Sequence, residues 1–141
     1  MATRHPSART RKDAKLDETI ALPAAAGTVA SAVLDLGNRP KELFTSELDV
    51  LVEAPALTTA QLPDTKTAIY DILGSASDDK SSPVTLVTAA ITQTGAGGAG
   101  DVAAEYRYRP PGDVPRYIWL AVTTDGAVDA SAAAAEISVV Q

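Results

Sequence analysis

The chain has 141 residues, 12 Lys and Arg against 18 Asp and Glu, a single His, no Cys and 4% aromatic residues. That length suits one domain able to bury roughly two-thirds of its unfolded surface without staples. The lack of Cys excludes disulfides and thiolate metal sites, and no apolar run reaches the roughly 18 residues of a membrane span.

Residues 1–15 hold five basic side chains (Arg4, Arg9, Arg11, Lys12, Lys15) against Asp13, a net charge of +4. Residues 16–141 hold seven basic and seventeen acidic side chains, a net charge of −10. The first stretch has Pro6, little apolar content and no periodicity, so it reads as an extended arm that is ordered only when laid on something. It lacks the apolar stretch of a secretory signal. A basic arm on an acidic body can bind nucleic acid or an acidic protein surface. The acidic body argues against direct nucleic-acid binding, and the arm has no aromatics to stack on bases.

The body, 16–141, reads as strands separated by turn residues at near-regular intervals. Leu16 to Leu22 is a first strand, ended by Pro23. Ala30 to Leu36 is a second, closed by Gly37-Asn38-Arg39-Pro40. Ser46 to Ala54 is a third, with Leu48, Val50, Val52 and Ala54 on one face and Asp49, Leu51 and Glu53 on the other. Leu57 to Thr65 is irregular. Lys66 to Ser75 is a fourth strand, with Ala68, Tyr70 and Ile72 on one face, and a polar loop follows to Pro83. Val84 to Thr92 is a fifth, and a Gly-rich loop spans Gly95 to Gly100.

Ala103 to Thr124 concentrates the aromatic residues. Tyr106 and Tyr108 share one face of a strand, with Glu105, Arg107 and Arg109 on the other. From Tyr117 both faces are apolar: Ile118, Leu120 and Val122 on one, Tyr117, Trp119 and Ala121 on the other. Between them Pro110-Pro111-Gly112-Asp113-Val114-Pro115 cannot continue a ladder or a helix. The expectation is an antiparallel hairpin, strands six and seven, on which the core is nucleated. A helical turn fits Ala132 to Glu136, and Glu136 to Val140 is the eighth strand, with Ile137 and Val139 on one face. About eight short strands without a long helix give an all-β antiparallel sandwich; eight is also the jelly-roll count.

Candidate chemistry is thin. Gly95-Ala96-Gly97-Gly98-Ala99-Gly100 matches G-x-G-x-x-G, but a strand follows where a phosphate-binding helix N-terminus is required, so it reads as a flexible inter-strand loop. His5 lies in the arm, where nothing holds a catalytic base or metal ligand rigidly. Asp78-Asp79 lacks calcium-loop spacing and reads as a solvated loop tip. No catalytic, metal or cofactor residues are assigned. The basic side chains Arg4, Arg9, Arg11, Lys12 and Lys15, together with Arg107 and Arg109 beside the tyrosines, form the candidate partner-binding set, since Arg and Tyr are favoured contact anchors.

Several runs resemble small tailed-phage capsid cement (decoration) proteins. They are Ile20-Ala21-Leu22-Pro23-Ala24-Ala25-Ala26 with Val33-Leu34-Asp35-Leu36-Gly37, and Leu48-Asp49-Val50-Leu51-Val52-Glu53-Ala54-Pro55. In the back half they are Gly95 to Gly100, then Glu105-Tyr106-Arg107-Tyr108-Arg109-Pro110 and Arg116-Tyr117-Ile118. The arm before Leu16 has no counterpart. The resemblance implies a jelly-roll-like sandwich on the outer surface of the virion capsid, often a homotrimer. Its partners would be the major capsid protein and copies of itself, with no enzymatic activity, cofactor or membrane. The rival expectations are a carbohydrate- or host-binding module, which needs exposed aromatics, and a small hydrolase, which needs a carboxylate pair in a cleft.

Overall fold

Alternating and doubly apolar runs become strands of two kinds. The computed structural model describes residues 12–37, 49–126 and 128–140, with 12–15 described by backbone alone. Every regular element among them is a strand: β1 (Lys12–Ala21), β2 (Gly27–Ala30), β3 (Leu34–Asp35), β4 (Asp49–Ala54), β5 (Thr67–Ser75), β6 (Val84–Thr94), β7 (Ala104–Tyr108), β8 (Tyr117–Thr124) and β9 (Ala134–Val140). A first sheet has the order β1-β9-β4-β7 and a second the order β2-β8-β5-β6, with β3 also on β8. All named strand pairs are antiparallel. The expected all-β sandwich is therefore what the chain forms.

The alternation read from sequence settles the inner faces. Val50, Val52 and Ala54 of β4 and Ala135, Ile137 and Val139 of β9 meet Ala68, Tyr70 and Ile72 of β5 and Ile118, Leu120 and Val122 of β8. β1 approaches β2 and β3, β9 approaches β8, and β7 approaches β6, so the sheets stack edge over edge. One polar link crosses the core. The Tyr70 hydroxyl donates to Gln93 Oε1 at 2.7 Å, and Gln93 Nε2 donates to the carbonyls of Pro55 and Val102 at 2.8 and 2.9 Å. Burial pushes the Tyr70 hydroxyl well above its ordinary pKa, which keeps the proton this bond needs. Every polar atom of the Gln93 amide that is buried here has a partner, so the link adds specificity without an orphaned group.

Several expectations are corrected. β7 and β8 are not a hairpin: β7 pairs with β4 and β8 with β5, so the Pro-rich segment carries the chain from one sheet to the other. The reason lies in the faces. β8 is apolar on both sides and needs neighbours on both edges, whereas β7 has one charged face and tolerates a sheet edge. The largest fully buried side chain of the core is Tyr70 of β5, outside these two strands. The second expected strand, Ala30 to Leu36, is strand only at Ala30, the last residue of β2, and at Leu34–Asp35, which is β3; the rest of β2 precedes it. At the break the Leu120 N–H donates to the Ser31 hydroxyl at 3.0 Å, and Lys80 Nζ donates to the Ser31 carbonyl at 2.6 Å. A side chain thus replaces a rung of the backbone ladder. β1 begins at Lys12 rather than Leu16, with Lys12 opposite Val140 across a register shift. In place of a helical turn after Ala132, Ala134 pairs with Ala21 as the start of β9.

The Gly-rich loop is packed. A Cβ on Gly100 would lie 1.9 Å from the Leu57 carbonyl oxygen, and one on Gly95 would lie 2.1 Å from that of Pro63. The loop is bound to the 57–66 segment through Leu57 N–H to Asp101 O, Asp101 N–H to Leu57 O and Gly95 N–H to Lys66 O. Gly97 and Gly98 are both left-handed, at φ 62° and 67°. Consecutive amides of this kind can cradle an anion. Here the Asp64 carboxylate accepts from the Gly98 N–H at 2.9 Å, so the chain's own carboxylate takes that place.

Candidate protein-contact surface

The outward face of the first sheet carries the charged residues of β4 and β7. Strand register brings them together: Leu51 lies opposite Arg107, and Glu53 lies opposite both Glu105 and Glu136. Asp49, at the start of β4, is the hub. Arg109 Nε donates to Asp49 Oδ1 at 2.9 Å, and Arg107 Nη1 lies 3.6 Å from Asp49 Oδ2. The Arg109 pKa is raised, first by this hydrogen bond and then by the charge of Asp49. Among the described residues two guanidiniums share this one carboxylate, a cationic surplus at the end of the face near Asp49. Arg109 is 64% and Arg107 39% exposed, against 21% for Asp49. Ion pairs this exposed add little stability and leave donors free for another molecule.

Behind this face, Tyr106 and Tyr108 turn inward and pack half-buried against the core. Burial, then the nearby Asp113, raises the Tyr108 pKa. The tyrosines hold the strand in place and the arginines meet the exterior, as the period-two pattern requires.

Of the seven basic residues singled out from sequence, Arg107 and Arg109 stand together here. Arg4, Arg9 and Arg11 lie outside the described residues, as does His5. Lys12 and Lys15 lie on β1, across the first sheet from β7, and their side chains are outside what the structure describes. Sequence reading missed Asp49 as the residue that clamps both arginines. Its signal was present in the alternation of β4, but not the register that sets β4 beside β7.

A second exposed ion pair sits on the other sheet. Arg116 Nε and Nη2 donate to the two oxygens of Asp35 at 2.8 and 3.0 Å. Arg116 also lies over the Tyr117 ring at 5.2 Å. The aromatic pair that a sugar-binding reading needs is not offered. Trp119 is 4% exposed, with Lys80 Nζ 5.4 Å above its ring, and Tyr117 is half-buried. Among the described residues no group of three His, Cys, Asp or Glu is placed to hold a metal ion. Among them, too, no helix is long and apolar enough to cross a membrane. A scan of family models finds no match to this chain, and a search of curated proteins finds none.

Proposed function

We propose that this chain is a structural virion protein, a capsid cement protein that binds the outside of a tailed-phage capsid and braces contacts between capsomers of the major capsid protein. The observation that carries it is the Asp49 hub: two exposed arginines fixed by one carboxylate on the outward face of a two-sheet body. Such a surface engages a partner by shape and charge. The motifs resembling cement proteins, Leu48 to Pro55 and Glu105 to Pro110, supply β4, β7 and that hub, so the resemblance and the surface coincide.

We read the sandwich as a jelly roll, a form that would support the same reading. Taking β2 and β3 as one interrupted strand, the antiparallel pairs are β1 with β9, β2/β3 with β8, β4 with β7 and β5 with β6. That nested order is what a long hairpin gives when wrapped into two sheets. Binding only to the assembled shell would stabilise it by mass action. The basic arm would lie on acidic surface of a neighbouring subunit, with neither nucleic acid nor membrane as a partner.

The test is cosedimentation of the chain with capsids of its parent phage that lack it. The expected result is saturable binding at a fixed ratio to the major capsid protein, with capsids more resistant to heating. A chain left in the supernatant overturns the proposal. Because β1 begins at Lys12, the deletion that separates arm from body is residues 1–11. It should lower capsid occupancy with the strand signal in circular dichroism retained, and unchanged occupancy removes the arm from the mechanism.

A further inference from the structure

We propose that β7 is a self-pairing edge: two copies of this chain join β7 to β7, antiparallel and centred on Tyr106, continuing the first sheet across a two-fold axis. Among the described residues, the outer strands of the two sheets differ in how they are protected. β6 has two register shifts against β5, at Tyr70/Ile72 and Ile72/Leu73, and β1 has one against β9. β2 and β3 are only four and two residues long. Bulges and shortness are the usual ways of keeping an edge from pairing. β7 has neither bulge nor shift, since Ala104 to Tyr108 run in unbroken register with β4.

Charge on an edge normally deters pairing too, but here the charges are self-complementary. Residues opposite each other in an antiparallel pair share a face. Full overlap of Ala104–Tyr108 with the same strand of a second copy sets Tyr106 against Tyr106. It therefore sets Glu105 against Arg107 of the second copy, and Arg107 against Glu105 of the second copy. Slipping the register to keep faces matched sets Arg107 against Arg107 or Glu105 against Glu105, and overlap is lost. One register alone joins full overlap to opposite charges, and a two-fold contact repeats the pair twice.

The present partners leave room for this. Arg107 is the more distant of the two guanidiniums on Asp49. Glu105 is exposed, faces Glu53 across the sheet and joins no ion pair among the described residues. A second copy would supply the cation Glu105 lacks. β6, beside β7 in the other sheet, carries no charged residue from Val84 to Thr94, so that flank adds no repulsion between two acidic bodies.

The experiment is sedimentation equilibrium on the full chain and three variants. The unaltered chain should self-associate reversibly. Glu105→Arg sets like charges opposite each other twice, and so does Arg107→Glu; each should weaken association by roughly tenfold or more. An equal mixture of the two single variants should regain it, because each supplies the sign the other has lost. The double variant, Glu105→Arg with Arg107→Glu, should regain it alone. Recovery in the mixture also shows that both single variants fold. A chain monomeric at every concentration, single variants that associate like the parent, or a mixture that stays apart would each overturn the proposal. It stands apart from the capsid reading: a chain that pairs this way but leaves capsids bare keeps this inference and loses that one.

Discussion

β7 and β8 are consecutive in the chain and opposite in kind. β8 sits inside the second sheet, between β5 and the short β2 and β3, and five of its residues in a row, Ile118 to Val122, are buried. β7 ends the first sheet, half-buried on the tyrosine face and exposed at Glu105 and Arg107. Two strands joined by eight residues thus belong to different sheets and serve different ends, one holding the core and one meeting the exterior. Nearness in sequence did not decide the pairing. The number of apolar faces fits the outcome, because neighbours on either side help to cover both faces of a doubly apolar strand, whereas a strand with one charged face tolerates an edge.

The largest effect should come from breaking the buried member. Leu120 is fully buried in the inter-sheet core, so Leu120→Ala should lower the unfolding free energy by about 3–5 kcal/mol. Tyr106→Ala, on the half-buried face of β7, should lose clearly less in the same urea titrations. Equal losses would mean that β7 is as much a core strand as β8, and the contrast would fall.

This division was half legible in the sequence. The period-two runs gave β4, β5 and β9 and their inner faces, since Val50, Val52, Tyr70, Ile72, Ile137 and Val139 all point where alternation sends them. What was lost is long-range. Asp49 meets Arg109 across 60 positions of sequence, and strand pairing over such distances follows from packing two sheets rather than from any local pattern. Ser31 hid the break between β2 and β3 because a hydroxyl standing in for a backbone acceptor looks like any other serine in a strand. The Gly-rich loop misled for a related reason. Gly95 and Gly100 are required by backbone of another segment pressed against them, which composition alone renders as flexibility.

That loop aims the chain into β7, and it gives the intermediate effect. Gly100 is left-handed at φ 67° and its missing Cβ is where the Leu57 carbonyl sits. Gly100→Ala should cost about 2–3 kcal/mol, through backbone strain and loss of the paired Leu57–Asp101 bonds. Gly97 has a similar φ of 62° but open space around it. Gly97→Ala should cost about 1 kcal/mol, the strain alone. Matching losses at the two positions in thermal unfolding would show that close packing is not what fixes the approach to β7.

The smallest effect lies at the entrance to β8, where Asp35 receives both donors of Arg116 and the Gly37 N–H at 2.8 Å. The Arg116 hydrogen bond is the largest of the causes that set the Asp35 pKa; burial, the next, opposes it, and the Gly37 bond and the Arg116 charge add to it, so the pKa lies below its ordinary value. The folded state therefore binds this proton more weakly than the unfolded state does. The stabilisation is complete above the unfolded carboxylate pKa and disappears as pH falls through the lower folded value. Because the pair is exposed, solvent and salt screen most of it. Asp35→Asn should therefore leave stability nearly unchanged at the acid end and lower it slightly at neutral pH, and added salt should shrink the gap. A gap that grew toward acid would reverse the sign and mean that β8 is entered by some contact other than this ion pair.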